Sequence, residues 1–146
     1  MTKFMKMLNN ISRSQSVYRY RKIAAADIHP GQYSFILAIC HHPGRSQEEI
    51  AHELCLNKST VARALTCLEE RGYITRTPQP NDKRQLSVYP TEKMLTILPE
   101  VKRVSDEWMT LLSEGIGEDE LAVFNSVLER MQTKARKITE EQDEKK

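Results

Sequence analysis

"SQEEIAHELCLNKSTVARALTCLEERGYITR", Ser46 to Arg76, decides how the chain folds. Ser46 followed by Glu49 forms the S-x-x-E capping box, in which each side chain accepts from the other residue's backbone N–H. Ile50, Ala51 and Leu54 then fall on one face, which predicts a short helix. A turn of Cys55, Leu56 and Asn57 follows. Asn57 is a fit N-cap for a second helix, and Gly72 is the expected stop signal. Val61, Ala64, Leu65 and Leu68 recur at helical spacing. At 100° per residue they share one face and leave Ser59, Arg63, Thr66 and Glu70 on the other.

The next residues change period. "YITRT" (73–77) and "LSVYP" (86–90) are β-prone runs, and between them lies the polar, basic tip "QPNDKRQ" (79–85). Two short helices joined by a tight turn and followed by a two-stranded ribbon predict a winged helix-turn-helix. A helix fits the major groove of double-stranded DNA, and its N-terminal residues reach base edges. On the second helix, Lys58 and Arg63 have the chemistry to neutralise phosphate or bond guanine. Ser59 and Thr60 are suited to backbone or bases. On the wing, Lys83 is a phosphate contact and Arg84 is placed to enter the minor groove, with Asp82 holding its guanidinium through a charge-assisted pair. Arg76, in the first strand, reads equally as a structural residue or as a phosphate contact.

The flanks are helical. Residues 1 to about 27 carry Phe4, Leu8, Ile11 and Tyr18 near one stripe, and "IHPGQ" (28–32) interrupts them. The following helix carries Tyr33, Ile36, Leu37, Ile39 and Cys40 before "HHPGR" (41–45) breaks the chain. After the wing, a long helix is predicted from about Thr91 to Leu112, with Pro99 expected to kink it. "SEGIG" (113–117) precedes a last helix from about Glu118 to Ile138, striped by Leu121, Phe124, Leu128, Met131 and Ala135. The charged residues from about 140 to 146 are expected to be disordered.

Composition sets limits on function. The chain has 146 residues, 39% apolar and 29% charged, which suits one soluble domain with a real core. No apolar run approaches the ~18 residues of a membrane span, and "MTKFMKMLNN" mixes Lys and Asn into its apolar positions. A cytoplasmic protein with no membrane partner is expected. A net charge of +2 is too small to prove a polyanion partner, but its distribution is informative. Residues 1–27 hold six Lys or Arg against one Asp, residues 57–89 hold six against three acids, and the tail "TEEQDEKK" reverses the sign.

Cys40, Cys55 and Cys67 lie apart and read as free thiols. Cys40 falls on an apolar helix face. Cys67 lies at the edge of the second helix, with Arg63 and Arg71 one helical turn away. His41 and His42 are adjacent and cannot share a face as an i, i+4 metal pair does, so no metal site is expected. There is no nucleophile–base pattern, no Gly-rich phosphate loop and no paired carboxylates, so neither catalysis nor a cofactor is expected.

In order and spacing the chain resembles the MarR-type regulators over nearly its whole length. "IHPGQYSFILAI" looks like that family's second-helix opening, and "SQEEIAHEL" and "NKSTVARALTCLEERGYITR" look like its two DNA-binding helices and first strand. Asp82 and Arg84 match its D-x-R wing motif. The resemblance implies a homodimeric transcription factor, usually a repressor, on a pseudo-palindromic operator. It divides the chain into dimerisation helices at 1–28 and 113–146, and a DNA-binding lobe with its connecting helix at 29–112. Many members release DNA on binding a small phenolic or anionic ligand, so a small aromatic or anionic effector is expected, with Tyr18, Tyr33 and Trp108 as candidate ligand-binding residues. The competing readings are a winged-helix module that binds protein partners without DNA, and a thiol- or metal-responsive regulator.

The chain departs from the family pattern in three places. Cys55 stands where the family commonly has Gly. Pro90-Thr91-Glu92-Lys93-Met94 replaces its usual L-T-x-x-G, and Gly117 caps the last helix in place of Ser.

Overall fold

The structure, a computed structural model, describes residues 2–23 and 27–143. The chain divides into two compact units, Met1–Trp108 and Met109–Lys146.

The first unit opens with helix α1 (Lys3–Lys22), capped where Thr2 Oγ1 accepts from the Met5 N–H at 3.5 Å. The helix ends earlier than the sequence predicts, because Ile23 is already extended; residues 24–26 lie outside the described residues. None of its residues is buried, and Phe4, Met5, Met7, Leu8 and Ile11 stand exposed. A 3₁₀ turn (Pro30–Gln32) leads into α2 (Tyr33–His41), which buries Tyr33, Phe35, Ile36, Ala38 and Ile39. So many buried positions in nine residues mark a helix covered on most sides.

The segment "HHPGR", expected only as a break, also supplies a strand at the edge of the hairpin formed by residues 74–90. Gly44 turns the chain at φ +88° and donates its N–H to the Val88 carbonyl at 2.8 Å, and Arg45–Ser46 form a short strand, β1. Two residues are too few to show a strand's period of two. The sheet therefore has three strands in the order β1-β3-β2, with β2 (Ile74–Pro78) and β3 (Leu86–Pro90) antiparallel and Arg76 opposite Val88.

Between β1 and β2 lie the two short helices. α3 (Gln47–Leu54) has both halves of the capping box, with Ser46 N donating to Glu49 Oε2 at 2.7 Å and Glu49 N to Ser46 Oγ at 3.1 Å. α4 (Lys58–Glu70) starts where Asn57 Oδ1 accepts from the Thr60 N–H at 2.8 Å. It ends at Gly72, φ +77°, with Tyr73 N donating back to the Leu68 carbonyl at 2.9 Å. Ile50 from α3 and Val61, Leu65 and Leu68 from α4 are wholly buried with Ile36 of α2. Truncating such a side chain to Ala costs about 2–5 kcal/mol.

Thr91 takes over the junction after the wing. Its N–H donates to the Tyr73 carbonyl and its hydroxyl to the Gly72 carbonyl at 2.7 Å, and α5 (Glu92–Leu112) follows with Pro99 inside it. The helix thus starts without the family's Leu and Gly. Met94, Val101 and Val104 of α5 join the core.

The second unit contains α6 (Glu118–Asp143), begun by Gly117, whose N–H donates to Glu120 Oε2 at 3.1 Å. Of the stretch expected to be disordered, about 140–146, the helix includes Glu140 and Glu141 as far as Asp143, and residues 144–146 lie outside the described residues. Glu, Gln and Lys are good helix formers even where nothing is buried. Val123, Phe124, Val127, Met131 and Ile138 are exposed on it.

Cys55 adopts φ 53°, ψ 41°, and is the one non-glycine residue with positive φ among those described. A side chain there costs roughly 1 kcal/mol, partly offset by the greater freedom of Gly in the unfolded chain. Cys55→Gly is expected to stabilise the protein by about 0.5 kcal/mol and Cys55→Val to destabilise it by more, both read from urea midpoints.

Candidate nucleic-acid interface

The packing of α4 fixes its free face. With Val61, Leu65 and Leu68 inside, Ser59, Arg63, Thr66 and Glu70 are exposed, while Thr60 is half-buried. Ser59 Oγ donates to Asn57 Oδ1 at 2.9 Å, so the cap and the first turn form one small network. Lys58 extends from the first position of α4, its side chain 79% exposed, with Nζ 3.1 Å from Glu48 Oε1 of α3.

Asp82, Lys83 and Arg84 are exposed at the wing tip. The Asp82 carboxylate does not hold the Arg84 guanidinium. Instead Oδ1 accepts from the Arg84 backbone N–H at 3.0 Å, and the Asp82 carbonyl accepts from Gln85 N at 3.0 Å. Two residues of separation favour this Asx-type turn over a side-chain pair. Asp82 therefore shapes the tip, and among the described residues the Arg84 guanidinium has no ion-pair partner. A cleft of about 150 Å³ is lined by Glu48, Lys58, Arg84 and Gln85 among others, so the start of α4 and the wing border one depression.

Arg76 ties this region together. Its Nη1 donates to Gln47 Oε1 of α3 at 2.9 Å, and Nη2 to Thr66 Oγ1 at 3.2 Å and Glu69 Oε1 at 2.9 Å, both on α4. Its backbone N–H donates to the other oxygen of Glu69 at 3.1 Å. The hydrogen bond from Arg76 holds the Glu69 carboxyl below the usual carboxylate range.

A second clasp secures the C-terminal end of α4. The Asp27 carboxylate accepts from the Tyr73 hydroxyl and from Lys93 Nζ at 3.2 Å, and the Asp27 carbonyl accepts from Arg71. Lys93 also donates to the Arg71 carbonyl at 2.7 Å and stands 4.2 Å from the Tyr73 ring centroid. Burial, then the bond to Asp27, pushes the Tyr73 phenol up to about 12, while the Tyr73 bond pulls Asp27 down.

The residues expected to bind an effector serve other contacts. The Tyr18 ring lies 5.2 Å from that of Trp108, and its hydroxyl donates to Glu107. Glu107 also pairs with Lys22 at 3.0 Å and Arg103 at 2.9 Å, which joins α1 to α5. Tyr33 is 1% exposed, in the core. An open cleft of about 440 Å³ is lined instead by Arg19, Leu37, Cys40, His41, Leu54 and Lys102, with Ser34, Ala38 and Glu53. Burial raises the Cys40 thiol above its ordinary value. These lining residues come from four helices far apart in sequence, and no spacing rule brings them together. Among the described residues, no cluster of three metal-ligating side chains exists and no helix is long and apolar enough to cross a membrane.

Comparison with known proteins gives consistent similarities. The profile described as MarR family matches residues 28–86. The crystal structure of a MarR transcriptional regulator from Methanosarcina mazei Go1 is 30% identical, with 94% of this chain and 99% of that chain covered at a TM-score of 0.82. An uncharacterized HTH-type transcriptional regulator, YybA of Bacillus subtilis (strain 168), is 29% identical over 105 residues, 72% of this chain and 70% of that protein. A putative MarR family transcriptional regulator from Listeria monocytogenes, solved with a 26mer DNA, is 22% identical. It has the same fold at a TM-score of 0.87, with 94% of this chain and 91% of that one covered.

Any anion that engages Lys58 has to displace Glu48. An exposed pair of this kind contributes up to about 1 kcal/mol. Glu48→Gln is therefore expected to tighten binding to double-stranded DNA several-fold per subunit by fluorescence anisotropy, with no gain when Lys58 is already Gln.

Proposed function

The chain belongs to the MarR family, and from that premise we propose that it is a cytoplasmic homodimeric transcription factor that binds a pseudo-palindromic DNA operator and represses transcription. One observation carries the DNA reading: Lys58 at the start of α4 and Arg84 on the wing line one cleft, so two cationic elements address the same side of the lobe. In this reading α4 enters the major groove. Ser59, Thr60 and Arg63 reach base edges or backbone, Lys58 and Lys83 meet phosphates, and Arg84 enters the adjacent minor groove with its loop held by Asp82. Two such lobes related by a twofold axis fit half-sites about 34 Å apart.

The dimer reading is supported by apolar surface. α1 exposes Phe4, Met5, Met7, Leu8 and Ile11, and α6 exposes Val123, Phe124, Val127 and Met131. Helix faces this apolar are covered in a soluble protein, and a second copy of the chain provides the cover. An alternative protein-binding winged-helix module leaves the exposed Arg63, Lys83 and Arg84 without a purpose.

For the effector, the cleft lined by the cations Arg19 and Lys102 and the apolar Leu37 and Leu54 suits a small aromatic or aliphatic carboxylate. A salicylate-type acid is expected to raise the melting temperature of the wild type and leave Arg19→Gln unmoved in a thermal-shift assay.

The DNA reading is tested by salt. Four cationic side chains per subunit neutralising DNA charge, Lys58, Arg63, Lys83 and Arg84, predict a slope of log affinity against log salt of about −7 for the dimer. A slope near −2 contradicts these contacts. Arg84→Ala is expected to weaken operator binding about tenfold, and an unchanged affinity in the folded variant removes Arg84 from the interface.

A further inference from the structure

We propose that Arg76 is a positioning residue for DNA recognition: without touching DNA, it sets the angle at which the wing stands to α4. The proposal rests on the DNA-binding reading above. The wing departs from the body as β2 leaves α4, and Arg76 is in the middle of β2. Its backbone N–H, at the outer edge of the sheet opposite the β3 partner, is taken up by Glu69 Oε2 at 3.1 Å. Its guanidinium meanwhile donates to Gln47 of α3 and to Thr66 and Glu69 of α4. One side chain, 15% exposed, thus fastens the strand to both helices of the helix-turn-helix.

The acceptors make the site specific for a guanidinium. Thr66 Oγ1 uses its own hydrogen on the Ala62 carbonyl at 2.9 Å and offers a lone pair to Arg76. Gln47 stands at the first position of α3, on the opposite side of the fork from Glu69. A planar fork reaches acceptors on both helices at once, whereas a lysine ammonium is a point charge that satisfies one side and leaves the other.

The consequence concerns Arg84, which lies eight residues further along the same hairpin. Its contribution depends on reaching DNA while Lys58 and Arg63 are engaged. A wing hinged loosely at Arg76 presents Arg84 over a wider range of positions and loses much of that intramolecular advantage.

The test is Arg76→Lys, which keeps the formal charge and removes the fork. Folding is checked by circular dichroism and melting, and Gln47→Ala, which removes one arm only, serves if Arg76→Lys is unstable. Binding is measured on a genomic DNA fragment selected by its retention on the wild-type protein. Arg76→Lys is expected to bind about tenfold more weakly. Its salt slope is expected to fall from about −7 to about −4, because the two wing contacts of each subunit, Lys83 and Arg84, are lost although no DNA-facing charge was changed. Adding Arg84→Ala should then cost less than twofold, against about tenfold in the wild type.

Wild-type affinity and slope in the folded Arg76→Lys protein would overturn the proposal, as would an undiminished Arg84→Ala effect in that background. Failure of the wild type to show salt-dependent DNA binding would instead overturn the underlying DNA reading.

Discussion

Helix α4 can bury Val61, Leu65 and Leu68 only by turning Ser59, Arg63 and Thr66 to solvent, and this constraint organises the molecule. The buried face packs on Ile50 of α3 and Ile36 of α2, so the direction of the exposed face is fixed by the core. Recognition chemistry then needs no separate device to aim it. The same packing sets the positions of the Asn57 cap and the Gly72 exit, from which the turn and the wing start.

Around this core, polar contacts fix the parts that hydrophobic burial leaves free. A two-stranded ribbon has little apolar surface with which to orient itself. Here β1 adds a third strand at one edge, and Arg76 with Glu69 covers the other. At the far end of α4, Asp27, Tyr73, Arg71 and Lys93 join the end of α4, the segment before α2 and the start of α5. Both arrangements are built from charge-assisted hydrogen bonds, each gathered around one largely enclosed side chain, Arg76 in the first and Tyr73 in the second. The exposed cations Arg63, Lys83 and Arg84 contrast with them, since they remain available to a polyanion.

A modest net charge of +2 is compatible with this function because charge is segregated. Acids are used internally: Glu107 holds α1 against α5, Glu69 anchors the wing and Asp82 closes its turn. Glu48 is the exception, an exposed acid paired with the exposed Lys58 at the start of α4.

How much was legible in the sequence follows from range. The capping box of Ser46 and Glu49, the cap at Asn57, the stop at Gly72, the α4 stripe and the wing tip all rest on contacts within a few residues, and the sequence determined them. It also determined which α4 side chains face outward, since 3.6-residue periodicity is a local property. Strand β1 needed Val88, more than forty positions away, and is too short to leave a pattern of its own. The role of Arg76, the use of Tyr18 and Trp108 in the α1–α5 junction, and the cleft between Arg19 and Lys102 were decided only by the tertiary structure. In each case the partners lie far apart in sequence, and only the three-dimensional packing of distant segments brings them together.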